Sequence, residues 1–174
     1  AIQLEADGKN AGCWVMPLEG SPEFAGLEDP DKVIVRSDGT VTYVGKDIAY
    51  QLWKFGLLGK DFAYRYWKEP GLWVTAREGA DDHPAFGHAE RVVNVIDARQ
   101  SYLQKIVRAG LSSLGHHEAA ARSVHFAYEM VTLSPATAQA LGYLAPEGEE
   151  GRSMEMSGRK GIGVKADDLL DRLE

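Results

Sequence analysis

The sequence has little of what marks a secreted or membrane protein. Among 174 residues there is one cysteine, Cys13. A lone thiol forms no internal disulfide, and beside Trp14 and Val15 it reads as a buried thiol in a reducing compartment, the cytoplasm. No apolar run approaches the roughly 20 residues that span a bilayer, and no charged-then-apolar leader opens the chain. It starts at Ala1 rather than Met, as an excised or processed piece would. Positive charge is also in short supply: 19 Lys and Arg face 26 Asp and Glu, a formal net charge of −7. That balance argues against a surface that clamps a phosphate backbone over a large area, while leaving room for one local RNA contact and suiting a cationic ligand.

What is present is the composition of an ordinary globule, 44% hydrophobic and 26% charged, enough for one domain with a real core. Strand and helix signals alternate. A polar turn at Asp7-Gly8-Lys9-Asn10 precedes a short strand from Cys13 to Met16, closed by Pro17. Gly20 to Pro30 is a loop by composition. A buried strand at Val33 to Val35 leads to a helix, and Lys60 to Glu90 is the least regular part, an insertion whose aromatics pack on the main body. Val92 to Ile96 reads as a strand covered on both faces. A helix from Arg99 to Leu114 puts Leu103, Ile106, Val107 and Leu111 on one face and stops at Gly115. A strand from Val124 to Leu133, a helix from Ser134 to Leu141 with Pro135 at its first position, an acidic loop from Tyr143 to Arg152 and a last helix from Ala166 to Glu174 complete the order. The alternation predicts an α/β fold with a parallel sheet and crossover helices, and no internal repeat is present.

The most informative stretch runs from Arg36 to Tyr50. Asp38-Gly39 supplies a tight turn between the strand and the helix carrying Ile48, Leu52 and Phe55. Tyr43 and Asp47 are four residues apart, so a helix that begins at Tyr43 sends a hydroxyl and a carboxylate out of one face. Two readings are open on this pattern. Asp47 is a carboxylate in a first turn, where the helix dipole favours it in any protein, or it is half of a pocket for a guanidinium, which a carboxylate grips bidentately.

The whole stretch, Arg-Ser-Asp-Gly-Thr, then Thr-Tyr, three spacers and Asp-Ile-Ala-Tyr, resembles the corresponding segment of the arginyl-tRNA synthetases. The resemblance implies that Tyr43 and Asp47 bind the substrate arginine. Three further places extend it in the family's order. Gln100 in Asp97-Ala98-Arg99-Gln100-Ser101 sits where a strand's carboxyl end meets a helix and matches a glutamine that contacts the substrate; Ser101 departs from the acidic or histidine residue frequent there. His125 to Val131 is similar to the family's His-x-x-Phe-Gly-Met-Val strand, with Tyr128 for Phe and Glu129 for Gly, which implies that Met130 and Val131 border the adenine of ATP. Read alone, a methionine in an apolar strand is a core residue.

Met156-Ser157-Gly158-Arg159-Lys160-Gly161 resembles the second signature of class I synthetases. Glycine hinges, a hydroxyl and two adjacent cations suit a loop that gathers a triphosphate, although Glu155 reverses the charge of the lysine that usually opens the motif. It lacks the Gly-Lys-Ser/Thr ending of a P-loop. His83-Pro84-Ala85-Phe86-Gly87-His88 is a decoy for the first signature: Ala85 stands at the first histidine's place, and the segment follows the arginine-binding stretch where the true motif precedes it. No zinc-type ligand spacing is present.

The resemblance implies part of a Rossmann-like nucleotide-binding sheet, the second half of a synthetase catalytic domain, without the first-signature half or the helical anticodon-binding domain. The parent protein would join arginine and ATP, with Mg²⁺, into arginyl-adenylate and pass the arginyl group to tRNA(Arg), with Arg159 and Lys160 catalytic and Met156 to Lys160 holding ATP. The isolated piece is expected to be inactive, free of membranes and prone to self-association through its half sheet. Two alternatives stand beside this reading: a synthetase-derived module that only binds, and another class I adenylate-forming enzyme with a different substrate.

Overall fold

The computed structural model describes residues 2–19, 22–25, 30–68, 71–143, 153–155 and 163–171. It falls into two compact units, Ala1–Ala127 and Tyr128–Glu174. In the first, β1 (Gln3–Leu4), β2 (Trp14–Met16) and β3 (Lys32–Val35) form an antiparallel sheet in that order. The register slips between Trp14 and Val15, a bulge, and the adjacent Val15 and Met16 are both buried. The Asp38-Gly39 turn is present: Gly39 has φ +83° and Thr40 N donates to Asp38 Oδ1 at 2.8 Å. Helix α1 (Tyr43–Lys54) follows and ends at Gly56, whose φ is +71°.

After α1 come β4 (Ala63–Tyr66) and β5 (Trp73–Ala76), then β6 (Val92–Asp97), helix α2 (Ser101–Ser113), helix α3 (His117–Arg122) and β7 (Ser123–Tyr128). β6 and β7 pair in parallel with α2 and α3 as the crossover, which makes this an α/β protein. Met16, Phe24, Ile34, Ile48, Leu52, Ile106, Val107 and Leu111 meet in one core between β2, β3, α1 and α2. The contact between the two helices is made by glycine. A Cβ on Gly110 would lie 2.5 Å from Ile48 Cδ1.

In the second unit β8 (Thr132–Leu133) pairs antiparallel with β9 (Met154–Glu155). Ser134 caps helix α4 (Pro135–Ala140) by accepting from Thr137 N at 3.1 Å, as the sequence predicts. Helix α5 (Ala166–Leu170) begins at the expected residue, and most of the acidic loop and residues 172–174 of the expected last helix lie outside the described residues.

Several expectations are corrected. Val92 to Ile96 is covered on one face only: Val92 and Asn94 are buried beneath the helices, whereas Val93 and Val95 are 49% and 62% exposed. The expected strand from Val124 to Leu133 is two strands, β7 and β8, broken at residues 129–131. Helix α3, too short for a periodic signal, was not expected. Cys13 is half-buried rather than enclosed, because it lies in the turn before β2, where its carbonyl accepts Glu5 N at 2.9 Å.

The least regular segment also contains more order than its sequence suggests. β4 and β5 are a hairpin with Tyr64 opposite Thr75 and Tyr66 opposite Trp73. Its aromatics reach α1 through Phe62, whose ring centroid is 5.3 Å from that of Trp53. Asp61 Oδ1 accepts three hydrogen bonds at 2.7 Å, from Trp53 Nε1, Tyr64 Oη and Phe62 N. The bond from Trp53, then that from Tyr64, holds the Asp61 carboxyl below its ordinary range, while burial and the bond to Asp61 push the Tyr64 phenol up to about 12.

Two outcomes test this packing. Gly45, in the first turn of α1, has no space for a side chain: a Cβ there would lie 2.6 Å from Ile34 O, a backbone atom that cannot swing aside. Gly45→Ala should lose about 1–3 kcal/mol in urea denaturation despite alanine's higher helix propensity. An unchanged midpoint would refute the close approach. Because the folded-state pKa of Asp61 is depressed, its contribution to stability is present above the ordinary carboxylate range and lost as pH falls through the lowered value. Trp53 emission should therefore hold steady through the ordinary range and change only below it, and Asp61→Asn should abolish that acid step.

Candidate functional site

The beginning of α1 is fixed by one threonine. Thr42, with φ −70° and ψ 168°, accepts Gly45 N at 3.2 Å, and its hydroxyl lies 2.8 Å from Val33 O and 3.1 Å from Ile34 O, to which it donates. The cap thus ties the helix start to β3 and makes Tyr43 the first helical residue. Tyr43 and Asp47 leave one face of the first turn and a half. The opposite face, Gly45, Ile48, Gln51 and Leu52, is buried. Tyr43 is 85% exposed, with the Lys46 ammonium 5.7 Å from its ring centroid. Asp47 is also at the surface, yet its surroundings displace enough water to raise the carboxyl above its ordinary pKa, and the charge of Lys54 opposes that shift.

Gln100 stands at the junction of β6 and α2. Asp97 ends the strand, accepts Arg99 N at 2.7 Å and is gripped by the Arg99 guanidinium at 2.8 to 3.1 Å, which holds its carboxyl below the ordinary range. Gln100 is exposed, caps α2 with backbone φ −90° and ψ 4°, and makes no capping bond with its side chain. Among the described residues no hydrogen bond joins Tyr43, Asp47 and Gln100 to one another. Four cavities of about 240 to 640 Å³ lined by described residues include none of the three.

A polar set that the sequence reading passed over lies beneath this surface. Gln51, Asn94, Gln104 and Ser123 are buried, and Lys54 donates to Gln51 Oε1 at 3.3 Å and to Asn94 Oδ1 at 3.0 Å. The available signal was position: Asn94 interrupts a run of branched apolar residues, and Gln51 falls between Ile48 and Leu52 on the core face of its helix. β7 is tied to β6 through His125, whose Nε2 lies 2.8 Å from Ile96 O and so carries its proton there.

In the second unit Met130 and Val131 follow β7, 43% and 70% exposed, so neither is the core residue that an apolar strand would make of it. Met156, Ser157, Gly158, Arg159 and Lys160 lie outside the described residues. Among the described residues no group of three or more His, Cys, Asp or Glu is placed to hold a metal ion, and no helix is long and apolar enough to cross a membrane.

Comparison with models of protein families gives no match. Comparison with known proteins does. The arginine–tRNA ligase of Deinococcus radiodurans is 41% identical over 172 residues, 97% of this chain and 25% of that protein. That of Thermus thermophilus is 42% identical over 167 residues, 95% of this chain and 24% of that protein. Among solved structures, the arginyl-tRNA synthetase of Thermus thermophilus superposes with a TM-score of 0.69 at 37% identity over 98% of this chain and 25% of that one. Over nearly its whole length the chain is thus similar to one segment of these arginine–tRNA ligases, and it spans about a quarter of their length.

Proposed function

We propose that the chain is the amino-acid-selecting segment of an arginine–tRNA ligase: a protein that activates arginine with ATP to arginyl-adenylate and transfers the arginyl group to tRNA(Arg). The observation that carries this reading is the common face of Tyr43 and Asp47 at a capped helix start, in a chain whose relatives are named for arginine. A carboxylate accepts two parallel N–H bonds from a guanidinium, and a tyrosine hydroxyl beside it completes the set. Gln100, with its side chain uncommitted to the α2 cap, is a third contact to the substrate.

The chemistry needs no nucleophilic side chain. The carboxylate of arginine attacks the α-phosphorus of ATP, a P–O bond forms, and the bond to pyrophosphate breaks in line with it. A hydroxyl of the terminal adenosine of tRNA(Arg) then attacks the acyl carbon and AMP leaves. The protein's work is positioning and stabilisation of developing charge. Met130 and Val131 are read as bordering adenine, and Met156 to Lys160 as the loop that holds the phosphates, with Arg159 and Lys160 meeting the charge that builds on pyrophosphate. Mg²⁺ would accompany ATP and offset the charge of its phosphates. The segment is the second half of a Rossmann-like catalytic domain, with the 60–90 segment inserted into it.

Calorimetry on the full-length ligase with Asp47→Asn checks the assignment. Arginine affinity should fall by about 2–4 kcal/mol, the cost on the order of that for one side of a desolvated charge pair, while ATP affinity is retained. Arginine binding equal to that of the unchanged protein would refute the role of Asp47. The isolated 174 residues should show no tRNA charging; measurable aminoacylation by them would overturn the proposal that they supply only part of the catalytic domain.

A further inference from the structure

The strand and the helix that meet at Gln100 are each fixed from inside the molecule. Asn94 Nδ2, on β6, donates to Gln104 Oε1, on α2, at 3.0 Å, and His125, on β7, holds the carbonyl of Ile96 at 2.8 Å. On the neighbouring elements Gln51 Nε2 donates to Ser123 Oγ at 2.8 Å, which ties α1 to β7. α2 is held in addition by Ile106, Val107 and Leu111, all buried in the core. Between β6 and α2, residues 98–100 form a single 3₁₀ turn with no buried side chain. Its conformation is left to polar contacts of its own.

Asp97 makes those contacts at the start of the turn. Its Oδ1 accepts Arg99 N at 2.7 Å, and the Arg99 guanidinium fixes the plane of the carboxylate, with Nε 3.0 and 3.1 Å from the two oxygens and Nη2 2.8 Å from Oδ2. A carboxylate has about four lone-pair sites, and two bonds at each oxygen take them up. Asp97 is therefore engaged within the chain rather than offered to a ligand. Ser101 closes the turn from its other end: its N and its hydroxyl both donate to Ala98 O, the hydroxyl at 2.5 Å. Gln100 is left between the two clamps, its side chain making no capping bond. The Asp97 carboxylate reaches no amide of α2, which begins at Ser101, so what it orders is the turn and not the helix.

We infer that Asp97 is a positioning residue for arginine selection: aimed by Arg99 and backed by Ser101, it sets the backbone of residues 98–100 and so the place from which the Gln100 amide meets the substrate. This rests on the reading of Gln100 as a contact to arginine. A side chain on an exposed turn samples several directions unless its backbone is held, and ordering it in advance removes a cost that binding would otherwise carry. Asparagine at position 97 keeps an oxygen for Arg99 N, and alanine keeps none. The two substitutions therefore separate loss of the turn contact from loss of the charge.

The test is a double-mutant cycle in the full-length ligase, with arginine affinity read by calorimetry. Asp97→Ala should weaken arginine binding about three- to tenfold and leave ATP affinity in place, and Asp97→Asn should recover most of that loss. In a Gln100→Ala background Asp97→Ala should cost nothing further. A change that only loosens the fold behaves otherwise: Val107→Ala lowers stability through the core of α2 and should leave arginine affinity as it was. If Asp97→Ala fails to fold, Ser101→Ala, which removes the hydroxyl bond to Ala98 O, should show the same dependence on Gln100 at smaller size. Hydrogen exchange of the peptide spanning residues 97–101 reads the turn directly, and it should quicken in Asp97→Ala and slow again in Asp97→Asn. If Gln100→Ala weakens arginine binding but Asp97→Ala does not, the inference alone falls. An equal loss from Asp97→Ala with and without Gln100 also overturns it. If the turn loosens in Asp97→Ala while Gln100→Ala binds arginine as the unchanged protein does, the reading of Gln100 as a contact falls instead.

Discussion

The site surface depends on a single hydroxyl. Thr42 gives its proton to the carbonyls of Val33 and Ile34 and takes a hydrogen bond from Gly45 N, so the same oxygen closes the end of β3 and opens α1. A helix start has four unsatisfied N–H groups and several near-equivalent ways to begin. Thr42 removes the choice. The absent side chain of Gly45 then lets the first turn settle against Ile34 O, and the rotation of the helix about its axis is set. With that rotation fixed, Ile48 and Leu52 enter the core and Tyr43 and Asp47 cannot.

The parts of this arrangement that were legible in the sequence are those governed by short-range rules. Asp38-Gly39 demands a turn, Ser134-Pro135 announces a helix, and Ile48, Leu52 and Phe55 carry a helical period. That the helix begins at Tyr43 was a condition of the pattern, and the Thr42 cap meets it. What stayed hidden depends on partners distant in sequence. Asn94 looks like a blemish in a hydrophobic strand until Lys54, forty residues away, and Gln104 are placed against it. Whether Val93 and Val95 are covered is likewise a question about neighbours rather than about valine, and here the helices cover only the face of Val92 and Asn94. The β4–β5 hairpin escaped notice because its turn is not of the Asn-Gly or Asp-Gly kind.

Buried polar groups are costly unless they are fully paired, and this core pairs them in a chain that involves four elements at once. An apolar replacement of similar shape would cement α1 to β6 as well. What it would not supply is a charge at a fixed place. Lys54, half-buried, holds its ammonium against the amide oxygens of Gln51 and Asn94 and so supplies one.

The cap and the face that Tyr43 and Asp47 share together limit how this region can change in length. Each residue turns an α-helix by about 100°, so one residue gained or lost between Thr42 and Asp47 would swing the carboxylate a quarter-turn or more away from Tyr43 while Ile48 was pulled from the core. Four residues added there would rotate it by only about 40°, but would carry it about 6 Å along the axis, away from Tyr43. The residues from Thr42 to Asp47 are therefore held to a fixed count, a constraint that does not extend to the turn at Asp38-Gly39 ahead of the cap.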